Sequence, residues 1–429
     1  MKKVLVIGGG LSGLSAACYL SHNKFDVNLI ESTHKLGGKT HSFQERNTKI
    51  EIDNGQHILL GCYFETLNFL RLISAVDKIK IQEEFSINYL TPNSNVQKLK
   101  SSNFFYPLNL LYGLFSFSLL TFKDKLSLLR LLLKVKFTDT ASLKDISVKK
   151  WLENENQTQA TIRLFWEVIC VGALNTSTDV ASAKLFCEIL KQIFWTGSNS
   201  FKIILPENSL NDTFIYPIVS FLKKNNVRLL KSEKCEKVTI SENKITEVKT
   251  DKRNLTGFDY YLMAVPFYSL KSLEILNTNH FDIKYSPILN AYLWLNNNPL
   301  KEPFYAFTDS LIHWLFNKGD FINITISNAV SLISKSKSEI ENLLLNELEK
   351  FIPDLSKEVR HILIIKEKKA TFIPSNENLG KRLNSKTEIS NLFLAGDWTN
   401  TKLPSTIEGA IKSGRIAAEE IIKDYFDRK

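Results

Sequence analysis

Gly8-x-Gly10-x-x-Gly13, with Glu31 placed 18 residues beyond its last glycine, is the first set of residues in the chain whose types and spacing suit a chemical task. Gly8 permits a tight turn, Gly10 lets the backbone approach a pyrophosphate, and Gly13, with Ala17 a turn later, lets a helix pack closely on a strand. A pyrophosphate would sit on the helix N-terminus, where unpaired N–H groups and the helix dipole favour an anion. Glu31 would accept hydrogen bonds from a ribose diol and repel the 2′-phosphate of NADP. The spacing predicts a dinucleotide site; the competing reading is a tight turn without a ligand. Leu36-Gly37-Gly38-Lys39 follows, offering a second close backbone approach and a cation where phosphate charge would lie.

These residues need elements to hold them, and the hydrophobic pattern provides them. Val4-Leu5-Val6-Ile7 is wholly apolar, the pattern of a strand buried on both faces of a parallel sheet. Leu11, Leu14 and Cys18 recur at helical spacing, and Val27-Asn28-Leu29-Ile30 forms a second strand ending at the acid. Far along the chain, Asn391 to Ala395 reads as a strand, Gly396-Asp397-Trp398-Thr399 as its exit loop, and Thr406 to about Tyr425 as a closing helix. Ser405-x-x-Glu408 has the spacing of a capping box for that helix. Between the two ends, Lys237–Ile240 and Lys244–Val248 flank Ser241-Glu242-Asn243 as a hairpin, and Asp259 to Pro266 reads as a strand returning to the sheet.

The whole chain has 429 residues, 44% hydrophobic and 23% charged, which excludes disorder and a small disulfide scaffold and suggests two or three domains. Its net charge of +10 is spread without a block of like charges, so a nucleic-acid partner is not expected, whereas an anionic membrane surface suits a mild excess. Five scattered cysteines without Cys-x-x-Cys read as reduced thiols in a cytoplasmic protein. Seven histidines without a ligand cluster give no expectation of a metal. Met1-Lys2-Lys3 and Ser15-Ala16-Ala17-Cys18 superficially resemble a lipoprotein signal, but the stretch runs on as half of a βαβ unit.

Residues 101–122 carry no charge, enough by length to span a bilayer, yet Pro107, Asn109, Gly113 and several serines weaken that reading. In residues 123–137, Leu126, Leu129 and Leu133 share a helical face opposite Lys123, Ser127, Arg130 and Lys134. Segment 101–137 therefore fits either a monotopic membrane contact or the core of a substrate domain.

The glycine pair after Glu31 resembles the FAD-binding start of the flavin amine oxidase and carotenoid desaturase superfamily. Asp53-Asn54-Gly55-Gln56-His57, Leu174-Asn175-Thr176, Lys369-Ala370-Thr371-Phe372 and Leu403-Pro404-Ser405-Thr406-Ile407-Glu408-Gly409 resemble its hydroxysqualene dehydroxylase branch, nearly end to end. The resemblance implies an α/β fold: an FAD-binding, doubly wound Rossmann-like domain from 1–85, 207–283 and 385–429, with an interleaved α+β substrate domain from 86–206 and 284–384. It implies that Gly8, Gly10, Gly13, Glu31, Gly37, Gly38, Lys39, Gly55, Gln56, Val238, Gly396, Asp397, Thr406 and Ile407 hold the cofactor. Asp397 would hold the ribityl and phosphate portion, and helix N–H groups near Thr406 and Ile407 would stabilise charge on the reduced flavin.

The reaction implied is reduction of a C30 allylic alcohol, hydroxysqualene, to squalene with loss of water. The departing hydroxyl needs an acid or a stabilised carbocation, and His57, Asp53 and Tyr63, in the most branch-specific stretch, are the candidates. Asp53 has a plainer alternative, holding backbone N–H groups in a turn. Two departures argue against amine oxidation: Asn290 stands where amine oxidases have a lysine, and Thr406 where they have a cage tyrosine. A polyprenyl desaturase and a non-catalytic flavin-binding partner remain as alternatives. The implied setting is the cytoplasmic face of a membrane, and no residue pattern identifies an electron donor.

Overall fold

The computed structural model describes residues 1–277 and 283–428. Residues 278–282, near the end of the 207–283 stretch, and Lys429 lie outside the described residues.

The chain opens with β1 (Lys3–Ile7), α1 (Leu11–His22) and β2 (Asp26–Glu31). These form part of a five-stranded parallel sheet in the order Arg228–Lys231, β2, β1, Tyr260–Met263, Leu392–Leu394. Parallel neighbours need crossovers rather than hairpins, and α1 is the first of them. Val4 and Val6 pack into one apolar cluster while Leu5 and Ile7 pack into another. That two-sided burial is why β1 has no polar residue after Lys3.

The closing helix, Ile407–Asp427, lies on α1 so tightly that a Cβ on Gly414 would come within 2.1 Å of Ser15 Oγ and 2.3 Å of the Ser12 carbonyl oxygen. Its N-cap differs from the expected capping box by one residue. Thr406 accepts from the Gly409 N–H at 3.1 Å, whereas Ser405 bonds Asp397. Glu408 accepts instead from the Glu65 and Thr66 N–H groups at 3.0 and 2.8 Å, so it caps a neighbouring helix, Phe64–Leu72.

A second sheet of seven strands runs Val359–Phe372, Tyr285–Leu295, Phe321–Ile326, Trp314–Asn317, Phe304–Phe307, Ser86–Thr91, Asn95–Lys100. Strand alternation divides its two faces. Leu289, Ala291, Leu293, Ile322 and Ile324 pack with Ile340, Leu344 and Leu348 of the helix Lys337–Phe351, whereas Ile288, Asn290 and Thr325 face a large cavity. Helices around Trp151, Trp166 and Phe186 build a third core beyond it.

The parallel sheet draws its strands from residues 3–31, 228–263 and 392–394, and the second sheet from 86–100 and 285–372. A small sheet crosses this division: Ile203–Pro206 pairs with both Leu59–Leu60 and Ile79–Ile81.

The uncharged stretch folds as a helix of only nine residues, Leu108–Ser116, and a turn leading into the helix Phe122–Phe137. Among the described residues no helix is long and apolar enough to cross a membrane. The buried stripe of Phe122–Phe137 is Leu128, Leu131 and Val135; of the face Leu126, Leu129 and Leu133, for which the sequence leaves membrane contact and core packing both open, Leu126 and Leu133 are 46% and 50% exposed.

Candidate functional site

One cavity of about 930 Å³ takes its walls from both sheets and from the helices Leu108–Ser116 and Phe122–Phe137. Gly8, Gly10, Glu31, Gly38, Asp397 and Thr406 are among the residues lining its polar part, and Leu111, Leu114, Leu129, Leu132, Phe165 and Trp195 among those lining its apolar part.

The glycine turn is built for close approach. Gly8 has φ +112°, and a Cβ there would lie 2.5 Å from the Ala264 carbonyl oxygen. At Gly10 a Cβ would meet nothing within 4 Å, so any side chain would project into open space. The Gly37 N–H donates to the Gly9 carbonyl at 2.8 Å, which lays the second glycine pair against the first. Gly13 does not line the cavity; its work is the helix–strand packing expected of it, since a Cβ would sit 2.0 Å from the Gly8 carbonyl oxygen. Glu31 accepts from the Gly9 N–H at 2.7 Å and the Thr33 N–H at 2.8 Å, which fixes its carboxylate at the cavity wall.

The two ends of the chain meet at Asp397. Lys39 Nζ lies 3.1 Å from Asp397 Oδ2 and donates to the Ala370 carbonyl at 2.9 Å, while the Ser405 hydroxyl donates to the same carboxylate oxygen. Burial opposes the charge on Asp397, but Lys39 and Ser405 outweigh it and hold the carboxyl below its usual range. Lys39 thus neutralises Asp397 as well as standing where phosphate charge was expected. Arg382, buried and stacked on the Phe372 ring, braces the loop by donating to the Leu403 and Asp397 carbonyls at 2.8 and 3.1 Å. No local motif marked Arg382, because its partners lie up to 21 residues away and none shares its periodicity.

The residues present fit a flavin dinucleotide. Leu11 and Ser12, opening α1, and Ile407, opening the closing helix, line the cavity, and their N–H groups have no protein acceptor among the described residues. Two helix N-termini, an acid for a ribose and a cradle of glycines are the donor and acceptor set that such a cofactor needs. When bound, FAD supplies two-electron hydride chemistry.

The comparisons with known proteins agree with this geometry. The model of the flavin containing amine oxidoreductases matches residues 11–422. The chain belongs to that family. It is an FAD-dependent oxidoreductase. It is 27% identical over 417 residues to the hydroxysqualene dehydroxylase of Zymomonas mobilis subsp. mobilis, covering 96% of this chain and 97% of the relative. It is 23% identical to a 15-cis-phytoene desaturase of Narcissus pseudonarcissus, covering 99% and 80%. Among solved structures, an oxidoreductase from Methanosarcina mazei superposes with a TM-score of 0.74 at 17% identity, covering 98% of this chain and all of that one, which speaks for the fold alone.

Within this amine oxidoreductase fold, most of the expected cofactor residues line the cavity: Gly8, Gly10, Glu31, Gly37, Gly38, Lys39, Gly55, Gln56, Gly396, Asp397, Thr406 and Ile407. Val238 does not. Its side chain packs into the apolar cluster behind the sheet, and Glu233, Lys234 and Cys235 reach the cavity instead.

The three candidates for the chemistry separate. Asp53 is turned away from the cavity and accepts from Ser42 Oγ at 2.7 Å and the Leu210 N–H at 2.8 Å, so the plainer reading, holding a turn, is the one its geometry fits. His57 and Tyr63 both line the cavity. Burial lowers the His57 imidazole to about 4, so it is neutral at pH 7 and suited to hydrogen bonding rather than to acting as a cationic acid. Burial pushes the Tyr63 phenol far above its ordinary value, keeping it a donor. Asn290 is buried and faces the cavity.

Proposed function

We propose that this flavoenzyme reductively removes the hydroxyl of hydroxysqualene to give squalene and water. In the balanced reaction the C–O bond breaks, hydrogen replaces oxygen at carbon, and oxygen leaves as water. Reduced FAD is the two-electron reductant. The observation that carries the reading is the long apolar arm of the cavity, joined to the cofactor site and walled by leucine and aromatic side chains. A C30 chain releases roughly 0.8 kcal/mol per buried CH₂, so only a comparably apolar chamber can draw it from a lipid phase. The similarity to hydroxysqualene dehydroxylases supports the same substrate. Similarity to a phytoene desaturase supports a second reading, oxidation of a polyprenyl hydrocarbon in the same chamber.

Anaerobic incubation of reduced enzyme with hydroxysqualene separates the two. Squalene formed with flavin reoxidation supports the first; a conjugated product from phytoene and oxidised enzyme, with no squalene from the alcohol, replaces it with the second. Turnover of neither would leave a flavin-binding partner protein.

We infer further that the enzyme takes its substrate from the cytoplasmic face of a membrane. Among the described residues, nine of the twenty exposed large apolar side chains lie within residues 104–137, under a tenth of the chain. Phe104 and Phe105 lead the helix Leu108–Ser116, while Phe122, Leu126, Leu133 and Phe137 crown the next, beside exposed Lys123, Arg130, Lys134 and Lys136. Aromatic side chains rimmed by cations suit an anionic phospholipid surface. The same two helices wall the apolar arm of the cavity.

A further inference from the structure

Asn175, which lines the cavity near the second sheet, is already committed. Asn175 donates to the Ser286 carbonyl at 3.2 Å and to Thr371 Oγ1 at 2.9 Å, and its oxygen accepts from the Asn328 N–H at 2.6 Å. Asn290 and Thr325 are different. They are directly opposed in register on neighbouring antiparallel strands, are 3% and 8% exposed, and both face the cavity.

Thr325 gives its single hydroxyl proton to Asn290 Oδ1 at 2.8 Å, with a weaker share to Asn323 Oδ1 at 3.2 Å. Its oxygen therefore keeps acceptor capacity. Asn290 Nδ2 has two protons, and among the described residues its one hydrogen-bond partner is the Asn54 carbonyl, at a long 3.5 Å. A Cβ at Gly55 would lie 2.7 Å from that nitrogen, so the missing side chain at Gly55 is what lets the amide reach the wall formed by Asn54, Gly55 and Gln56. The pair offers one spare donor and one spare acceptor, side by side, in a chamber whose far arm is hydrocarbon. A hydroxyl group needs one of each.

We propose that Asn290 and Thr325 form the subsite that recognises the substrate's hydroxyl and so selects an alcohol over the matching hydrocarbon. Asn290 Nδ2 donates to the alcohol oxygen, and the alcohol proton is accepted by Thr325 Oγ1. These are specificity residues for binding, and they rest on the polyprenyl-alcohol reading above. A site built to hydrogen-bond a hydroxyl rejects the analogue lacking it because its buried polar groups are then left unpaired.

The test measures binding rather than turnover. Oxidised, FAD-loaded enzyme is titrated in detergent micelles with hydroxysqualene and with squalene, following the perturbation of the flavin absorbance band. Wild type is expected to favour the alcohol by about tenfold. Thr325→Val and Asn290→Leu should bring the ratio near one by weakening alcohol binding and tightening squalene binding, with flavin content unchanged, and Thr325→Ser should keep the wild-type preference. Retention of the preference in both apolar variants, or equal loss of affinity for both ligands, overturns the assignment while leaving the polyprenyl reading intact. A wild type that binds neither ligand overturns that reading and this one together.

Discussion

Replacing Phe122 and Phe137 by serine should release the enzyme from membranes while leaving the flavoprotein intact. The two rings are 67% and 81% exposed, so neither supports the core. At roughly 2 kcal/mol for a fully buried side chain of this size, transferring their exposed surface into the acyl boundary contributes about 3 kcal/mol. Losing it lowers the partition coefficient on the order of a hundredfold. Charge adds a separate contribution: Lys123, Arg130 and Lys136 are exposed and each gives about 1 kcal/mol near an anionic surface, whereas Lys134 is held 2.7 Å from Glu155 and gives less.

The assay is sedimentation with vesicles of phosphatidylcholine and phosphatidylglycerol, reading flavin absorbance in the pellet. Raising salt should weaken wild type and double variant by a similar factor, because screening acts on the cations alone. Vesicles without phosphatidylglycerol should lose the charge contribution and keep the aromatic one. Undiminished pelleting of the double variant refutes the docking surface, and a parallel fall in bound FAD and Tm refutes the claim that these rings lie outside the core.

Three further outcomes follow from the geometry. The folded-state pKa of His57 lies below its unfolded value, so its contribution is present above about pH 6.5 and lost as pH falls toward 4; His57→Gln should flatten the stability change between pH 7 and pH 5 by about 2 kcal/mol in thermal melts of the holoenzyme. Gly414→Ala puts a methyl group onto Ser15 and the Ser12 carbonyl, costs about 1 to 3 kcal/mol and, by displacing α1, should lower the ratio of flavin to protein absorbance after gel filtration. Glu408→Ala removes the acceptor for the Glu65 and Thr66 N–H groups and should destabilise by about 1 to 2 kcal/mol in the same melts, with Glu408→Gln recovering part of the loss.

What was legible in the sequence is what is local. The turn from Gly8 to Glu31 closes within one βαβ unit, so each residue's role follows from its spacing to the others. The same logic fails where partners are remote. Ser405 and Glu408 have the right spacing for a capping box, yet Asp397 claims one and the helix Phe64–Leu72, 342 residues away, claims the other. The helix Phe122–Phe137 is undecided in sequence for another reason. Leucine occupies 126, 128, 129, 131, 132 and 133, so apolar stripes run down more than one side, and periodicity alone does not choose which is buried. Val238 sits in the expected hairpin, but strand parity turns its side chain to the sheet rather than to the cavity.

Strand parity also divides the tasks of the second sheet. In Tyr285–Leu295 and Phe321–Ile326, the residues that pack against Lys337–Phe351 alternate with those that face the cavity. Changing Leu289 or Ile324 opens a void in a closed core, whereas changing Asn290 or Thr325 breaks the one hydrogen bond between them and alters what the chamber will accept. Stability and selectivity are thus written on opposite faces of the same two strands. It follows that a polar-to-apolar exchange at Asn290 or Thr325 should cost no more than about 1 to 2 kcal/mol of unfolding free energy while changing ligand preference, whereas Leu289→Ala should cost about 2 to 5 kcal/mol and leave the preference ratio of the surviving folded enzyme unchanged. Thermal melts and the alcohol-to-hydrocarbon binding ratio, measured on the same samples, check both halves. A Leu289→Ala enzyme that changed preference without losing stability would show that the two faces are not independent.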